Sequence, residues 1–200
     1  MDFIRSLRDK VVIALGHTKS DYETALEAIH NGASHVTHLF NAMTPLSHRS
    51  PGVIGAAFDT DCTVELICDG NHIAPAIIRL AFKLYGSDRV ILVSDSMMAT
   101  GMENGNYTLG GQAVYVNGTK ATLEDGTLAG SITNLFDCMR MAVSFGIPLE
   151  DAIKSACVNP AKRIGIYKDY GSITPGKYAN IVLTDKMLNL KSVILKGKQL

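Results

Sequence analysis

Five side chains able to ligate a metal or move a proton lie at or near the ends of short apolar runs in the first half of the sequence. Val11–Leu15 leads into Gly16-His17-Thr18, and His38 sits inside His-Val-Thr-His-Leu-Phe-Asn-Ala-Met. Val64–Cys68 leads into Asp69-Gly70-Asn71-His72, and Val90–Val93 into Ser94-Asp95-Ser96. Imidazole nitrogens with a carboxylate suit zinc or iron(II). A ligated metal lowers the pKa of water and polarises a carbonyl, and a free carboxylate nearby can act as general base and then general acid. Taken singly, each residue has an ordinary explanation. A strand-end histidine is commonly just hydrogen-bonded, Asp95 could cap a turn, and Asp69 before Gly70 could be a turn residue. Recurrence at four successive run ends is what favours chemistry. His30 and His35 lack that placement and are read as ordinary.

The elements that must position these groups follow from the same runs. Val11–Leu15, His35–Phe40, Val64–Cys68 and Val90–Val93 read as strands. Ser20 with Glu23 three residues on forms a capping box for a helix that Gly32 closes. A further helix is expected over about Ala74–Tyr85. Strands rich in Val, Ile and Leu, spaced by helices, imply a parallel sheet buried on both faces. Four such βα units make half of an eight-stranded (β/α)8 TIM barrel, whose chemistry collects at the C-terminal ends of the strands. Beyond Ser94 the texture changes to short strands at Tyr107–Leu109, Ala113–Val116 and Lys120–Leu123, with Asn117-Gly118 as a hairpin signal. Helices are expected over Ile132–Phe145 and Leu149–Val158, with Pro148 in a first turn. Strands at Ala179–Thr184 and Ser192–Leu195 precede a terminus with no obvious final element.

Composition narrows the function classes. The 200 residues are 46% hydrophobic and 19% charged, with 19 Lys+Arg against 19 Asp+Glu. That is a globular, neutral chain, which argues against a generic nucleic-acid or membrane-surface binder and leaves room for a local basic site for one small anion. Cys62, Cys68, Cys138 and Cys157 form no CxxC pair and read as buried reduced thiols. No signal peptide or membrane-length apolar run is evident, so a cytoplasmic location is expected.

Longer motifs then make the pattern specific. His38-Leu39-Phe40-Asn41-Ala42-Met43-Thr44-Pro45, continuing to His48-Arg49-Ser50-Pro51-Gly52, resembles the HLFNAM-x-P…HR-x-PG signature of N-acetylglucosamine-6-phosphate deacetylases, in the amidohydrolase superfamily. Gly16-His17-Thr18 is similar to their GH[ST] motif, Asp69–His72 to DG-x-H, and Asp95 falls at their catalytic aspartate. Asn106–Gly111, Asp125–Ser131 and Asn159-Pro160-Ala161 match further blocks. Gly171–Asn180 resembles the G-x-I-x-x-GK-x-AD segment of amidohydrolases, with Asn180 replacing the final Asp at a position expected to be structural. The resemblance implies that His17 and His38 bind a divalent metal ion, of which zinc, iron, cobalt or manganese are all compatible. It implies Asp95 as the catalytic acid and base, and a sugar-phosphate substrate contacted by Asn41, Ala42, Arg49, His72, Leu128, Ala129 and Gly130. Arg49 is a planar fork suited to a phosphate. Gly52 and Gly55 read as letting its loop turn tightly.

The implied architecture is α/β: residues 1–165 as the second half of a TIM barrel, and residues 166–200 as part of a small β-sandwich. The family's metal site also takes a glutamate from an earlier strand, and no Glu here has that context, Glu65 lying inside a strand. The chain is therefore expected to begin at the fifth barrel strand and to be weakly active or inactive alone. The reading is deacetylation of N-acetylglucosamine 6-phosphate in the full-length enzyme. The alternatives are a non-catalytic fragment or an amidohydrolase for another acylated sugar phosphate. Open strand edges and the family's tendency to dimerise together imply a homo-oligomer, dimer or tetramer.

Overall fold

A computed structural model describes all 200 residues. After a short helix α1 (Asp2–Leu7), four strands alternate with three helices. These are β1 (Ile13–Leu15), α2 (Tyr22–His30), β2 (Ala33–Val36), α3 (Gly52–Phe58), β3 (Thr63–Ile67), α4 (Pro75–Tyr85) and β4 (Val90–Val93). The strands form one sheet in the order β1-β2-β3-β4, each pair parallel. The fold class is thus α/β with a parallel sheet.

The alternation along the strands separates two faces. Val36, Val64, Leu66, Val90 and Leu92 pack with Ala25, Val53, Ile54, Ala57, Ile78 and Ala81 of the helices in the main core. Their neighbours His35, Thr63, Glu65 and Ile91 point to the opposite face, as the period of two requires. That second face therefore carries polar groups.

Several sequence expectations shift. The N-cap of α2 is Asp21, whose carboxylate accepts from Thr24 N at 2.8 Å, so the Ser20–Glu23 capping box does not form. A carboxylate beside the positive helix end is the stronger acceptor. β2 ends at Val36, not Phe40, because His38, Phe40 and Ala42 take φ of 28°, 77° and 51°, which cannot extend a strand. Gly52 and Gly55 lie in a helix, not in a loop: Val53, Ile54, Ala56 and Ala57 bury one side of α3. A Cβ on Gly55 would stand 2.4 Å from Pro51 Cβ, so glycine serves close packing there.

The segment after β4 folds as an antiparallel sheet of β5 (Gly105–Leu109), β6 (Gln112–Asn117) and β7 (Lys120–Thr122). Asn117 pairs with Lys120, so the two-residue turn is Gly118-Thr119, one position later than Asn117-Gly118. Val114, Val116 and Ala121 pack under Met97, Ala99 and Ala129 in a second small core. Helix α5 (Leu135–Ser144) follows, then a continuous helical path: α6 (Leu149–Ile153), a π turn Lys154–Val158 and α7 (Asn159–Arg163). Pro148 precedes this path as its N-cap. The expected helix therefore runs past Val158. Its buried Asn159 donates through Nδ2 to Ser87 O at 2.6 Å and Val90 O at 2.7 Å, anchoring the path to the start of β4.

The tail makes a third sheet from β8 (Ile181–Thr184), β9 (Leu190–Leu195) and β10 (Lys198–Gln199). The terminus thus has a final strand after all. Lys196 and Gly197, at φ 50° and 81°, supply the left-handed pair that a tight hairpin needs. Asn180 has a structural contact, its Oδ1 accepting from Lys196 N at 2.8 Å. Three cysteines are buried, but Cys157 is exposed on the π turn. Burial pushes the Cys138 thiol up to about 11, away from reactivity. No helix is long and apolar enough to cross a membrane.

Asn159→Ala strips the buried Val90 carbonyl and the half-buried Ser87 carbonyl of their donor. It should destabilise the fold by about 1–3 kcal/mol, read as a lowered urea midpoint with an unchanged slope.

Candidate metal and substrate site

Parallel pairing sends all four sheet strands out on one side. His17 and His38 follow β1 and β2, the Asp69–His72 turn follows β3, and Asp95 follows β4. His17, His38 and Asp95 all have left-handed backbones, at φ 46°, 28° and 50°. Non-glycine residues reach that region at a cost, and such outliers cluster at functional sites.

Specific contacts hold each one. A Cβ at residue 16 would fall 2.2 Å from Thr37 Cγ2, so only glycine lets β1 and β2 close up just before His17. Asn41 Nδ2 donates to His38 O at 3.1 Å and Leu39 O at 3.2 Å, stapling the left-handed turn from inside. The imidazoles then meet: His38 Nε2 lies 2.8 Å from His17 Nε2, with ring centroids 4.7 Å apart and the rings edge to face. His38 is buried and its Nδ1 has no partner, whereas His17 is exposed. No third histidine, cysteine or carboxylate joins them closely enough to complete a cluster of three. Asp95 stands two strands from His38, and neighbouring strands are roughly 5 Å apart.

Beneath the pair lies a polar network that the sequence reading passed over. Glu65 Oε2 accepts from Thr37 Oγ1 at 2.6 Å and from His38 N at 3.2 Å. Its Oε1 meets His35 Nε2 at 2.9 Å, and His35 Nδ1 meets Thr63 Oγ1 at 2.6 Å. Burial opposes ionisation of Glu65, but the bonds from His35 and Thr37 outweigh it and hold the carboxyl below its usual range. His35 is therefore a wired group and not an isolated one, while His30 is exposed at the end of α2.

Asp69 does more than turn the chain. Its Oδ1 accepts from the backbone N–H of Asn71 and His72, both at 2.9 Å, and its Oδ2 lies 2.7 Å from His72 Nδ1. Both side chains are about 95% buried, at 5% and 6% exposure. Burial resists the charge on Asp69, and the His72 and backbone donors overcome it, so its pKa falls. The spacing of three residues was the available signal. His72 is thereby oriented with Nε2 directed away from Asp69. Asn71 Nδ2 donates to Thr119 O at 2.9 Å, tying this turn to the β6–β7 hairpin.

The remaining expected residues lie on three loops. Asn41 and Ala42 belong to the turn after His38. Arg49 is exposed in a short turn closed by the Ser47–Ser50 bridge, and it makes no ion pair. Leu128, Ala129 and Gly130 precede Ser131, which bridges to Ser96 beside Asp95. A cavity of about 610 Å³ opens between Asp69, Asn71, Thr119, Thr133 and Arg140, apart from the histidine pair.

Comparison with known proteins places the chain in a family. The model of the amidohydrolase family matches residues 4–200. The chain is 43% identical to the N-acetylglucosamine-6-phosphate deacetylase of Bacillus subtilis (strain 168), over 98% of this chain and 50% of that protein. The crystal structure of the Pasteurella multocida N-acetylglucosamine-6-phosphate deacetylase superposes with a TM-score of 0.94 at 35% identity, covering 99% of this chain and 53% of that one. A variant of the Mycobacterium smegmatis deacetylase in complex with N-acetyl-D-glucosamine-6-phosphate also gives 0.94, at 37% identity over 99% and 54%. The chain thus spans about half the length of the curated relatives it matches. With its parallel sheet, its strand-end histidines and a family match running almost from end to end, the chain belongs to the amidohydrolase family.

Proposed function

We propose that this chain supplies the carboxy-terminal half of a cytoplasmic, metal-dependent deacetylase that hydrolyses the acetamide of N-acetylglucosamine 6-phosphate to glucosamine 6-phosphate and acetate. Residues 1–165 form half of a (β/α)8 barrel in this reading, and residues 166–200 part of a β-sandwich. The observation that carries it is the approach of His17 Nε2 and His38 Nε2 to 2.8 Å at adjacent strand ends. Their nitrogens fit a divalent cation, and zinc, iron, cobalt and manganese all accept such donors. When bound, the metal supplies Lewis acidity that activates water and polarises a carbonyl.

The other residues have separate tasks. Asp95 takes the proton of the attacking water on its carboxylate and passes it to the departing amine. Asp69 holds His72 Nδ1, leaving Nε2 to contact the acetamide. Arg49 offers two parallel N–H groups to the 6-phosphate, with the Asn41-Ala42 backbone alongside. Leu128, Ala129 and Gly130 border the sugar. The open edges at β1 and β4 are covered by further polypeptide, and the assembled enzyme is a homo-oligomer, dimer or tetramer. Val11 and Val12, 55% and 41% exposed, are apolar groups awaiting such cover.

Three outcomes are expected. Titration of the metal-stripped chain with cobalt(II), followed by its absorption spectrum, should show binding that His17→Ala or His38→Ala weakens about 10–100-fold or more. Equal binding by the double variant would remove the metal assignment. In acetate-release assays on the 200-residue chain and on a polypeptide of full family length, Arg49→Ala should raise KM for the phosphorylated sugar about 10–100-fold. The same change should leave phosphate-free N-acetylglucosamine unaffected, and a uniform loss on both sugars would sink the phosphate role. Light scattering across a dilution series should report dimers or larger species, and a strictly monomeric chain would contradict the proposed assembly.

A further inference from the structure

Asp95 is exposed and has a left-handed backbone at φ 50°, so something outside its own dipeptide must keep it there. Its surroundings identify a single residue. Ser131 N donates to Asp95 O at 2.8 Å, and Met97 N donates to Ser131 O at 2.8 Å. The Ser131 hydroxyl donates to Ser94 O. Ser131 therefore bonds to Ser94 and Met97 on either side of Asp95 as well as to Asp95 itself. It is 2% exposed, so water does not compete for these bonds. The next hydroxyl joins in: Ser96 Oγ lies 2.8 Å from Ser94 Oγ and 2.6 Å from Thr133 O. On the other side, Gly130 has φ 65°, and a Cβ there would stand 3.3 Å from Asp95 O and from Met97 Cβ.

We propose that Ser131 is the positioning residue for Asp95, and that it couples the Leu128–Gly130 loop to that carboxylate. The inference rests on the reading of Asp95 as the proton-transferring group. Ser131 touches no reacting atom. It acts through three hydrogen bonds that bracket a strained aspartate, and the loop proposed to border the sugar ends directly on that bracket. Displacement of Leu128–Gly130 by a ligand is transmitted to Asp95 O through Ser131, whose N–H and C=O are both bonded to the Asp95–Met97 backbone. Proton transfer is sensitive to such placement, since a shift of about 1 Å can cost roughly 100-fold in rate.

The test uses the isotope-labelled chain. In the unaltered protein, the Ser131 and Met97 amides should be protected from hydrogen exchange. The coupling and Cα shift of Asp95 should report a left-handed φ. Exchange of both amides at the rate of an open loop would overturn the clamp without any variant. Ser131→Ala removes only the hydroxyl, and Gly130→Ala presses a methyl toward Asp95 O. Each should move the Asp95 signals away from the left-handed values while the signals of Val36 and Val64 stay fixed. Folded variants that both leave Asp95 unmoved would refute the proposal, and if one variant fails to fold, the other decides. A merely structural serine would alter the unfolding midpoint and not the Asp95 backbone. In parallel, acetate release on a polypeptide of full family length should lose about 10–100-fold in kcat with a smaller change in KM. Displaced Asp95 signals with unchanged kcat would leave the clamp standing and overturn the role of Asp95 itself.

Discussion

The carboxylate of Glu65 fixes the geometry on which the site depends. It stands in the middle of β3 on the face away from the helices, where Thr37, His35 and the His38 amide all donate to it. A slip of one residue between β2 and β3 would turn Glu65 toward the apolar core under the helices and remove those donors together. An ion buried without partners costs several kcal/mol, so the register has one acceptable value. Leu39 N donates to Glu65 O at 2.8 Å, which holds the chain immediately after His38 against the same residue. β1 follows, since Thr37 N donates to Leu15 O at 3.0 Å and Thr37 also packs over Gly16. The positions of both histidines are set from below by one half-buried carboxylate.

The parallel sheet was legible because its strands are apolar and its helices carry ordinary boundary signals. The helix expected over about Ala74–Tyr85 forms over Pro75–Tyr85, with Gly86 at its end. The parts that escaped have a common cause, which is that tertiary contacts decide them. Pro51-Gly52 and Gly55 look like loop residues until Tyr22 and Pro51 are seen pressed against Gly55. β2 stops early because Asn41 staples a left-handed turn, and nothing in the apolar pattern of His35–Phe40 announces it. The His35–Glu65 pair is separated by 30 positions and exists only in one register. Strand-end placement did lead to His17, His38, His72 and Asp95. It could not show that two of the imidazoles meet, because it carries no information about distance across strands.

The β5–β7 sheet is joined to the parallel sheet by polar contacts that fall beside the candidate site. Asn71 to Thr119 and Ser131 to Ser94–Met97 fasten the β5–β7 module to the ends of β3 and β4. The small core of Val114, Val116, Ala121 and Ala129 gives that module its own rigidity. A loop hung between two such bodies is better defined than its length suggests, and Leu128–Gly130 is of this kind.

Gly16 has a consequence for how such a site can vary over time. With Thr37 Cγ2 only 2.2 Å from where any Cβ would lie, a side chain at this position requires Thr37 or the strand beneath it to shift. The cost falls on the separation of His17 and His38 before it falls on overall folding. Deep mutational libraries of this chain would then find position 16 closed even on a hyperstable background, whereas a position constrained by stability alone would reopen. Exchange of Thr37 for serine removes the offending methyl. Unlike alanine, it keeps the hydroxyl that Thr37 donates to Glu65.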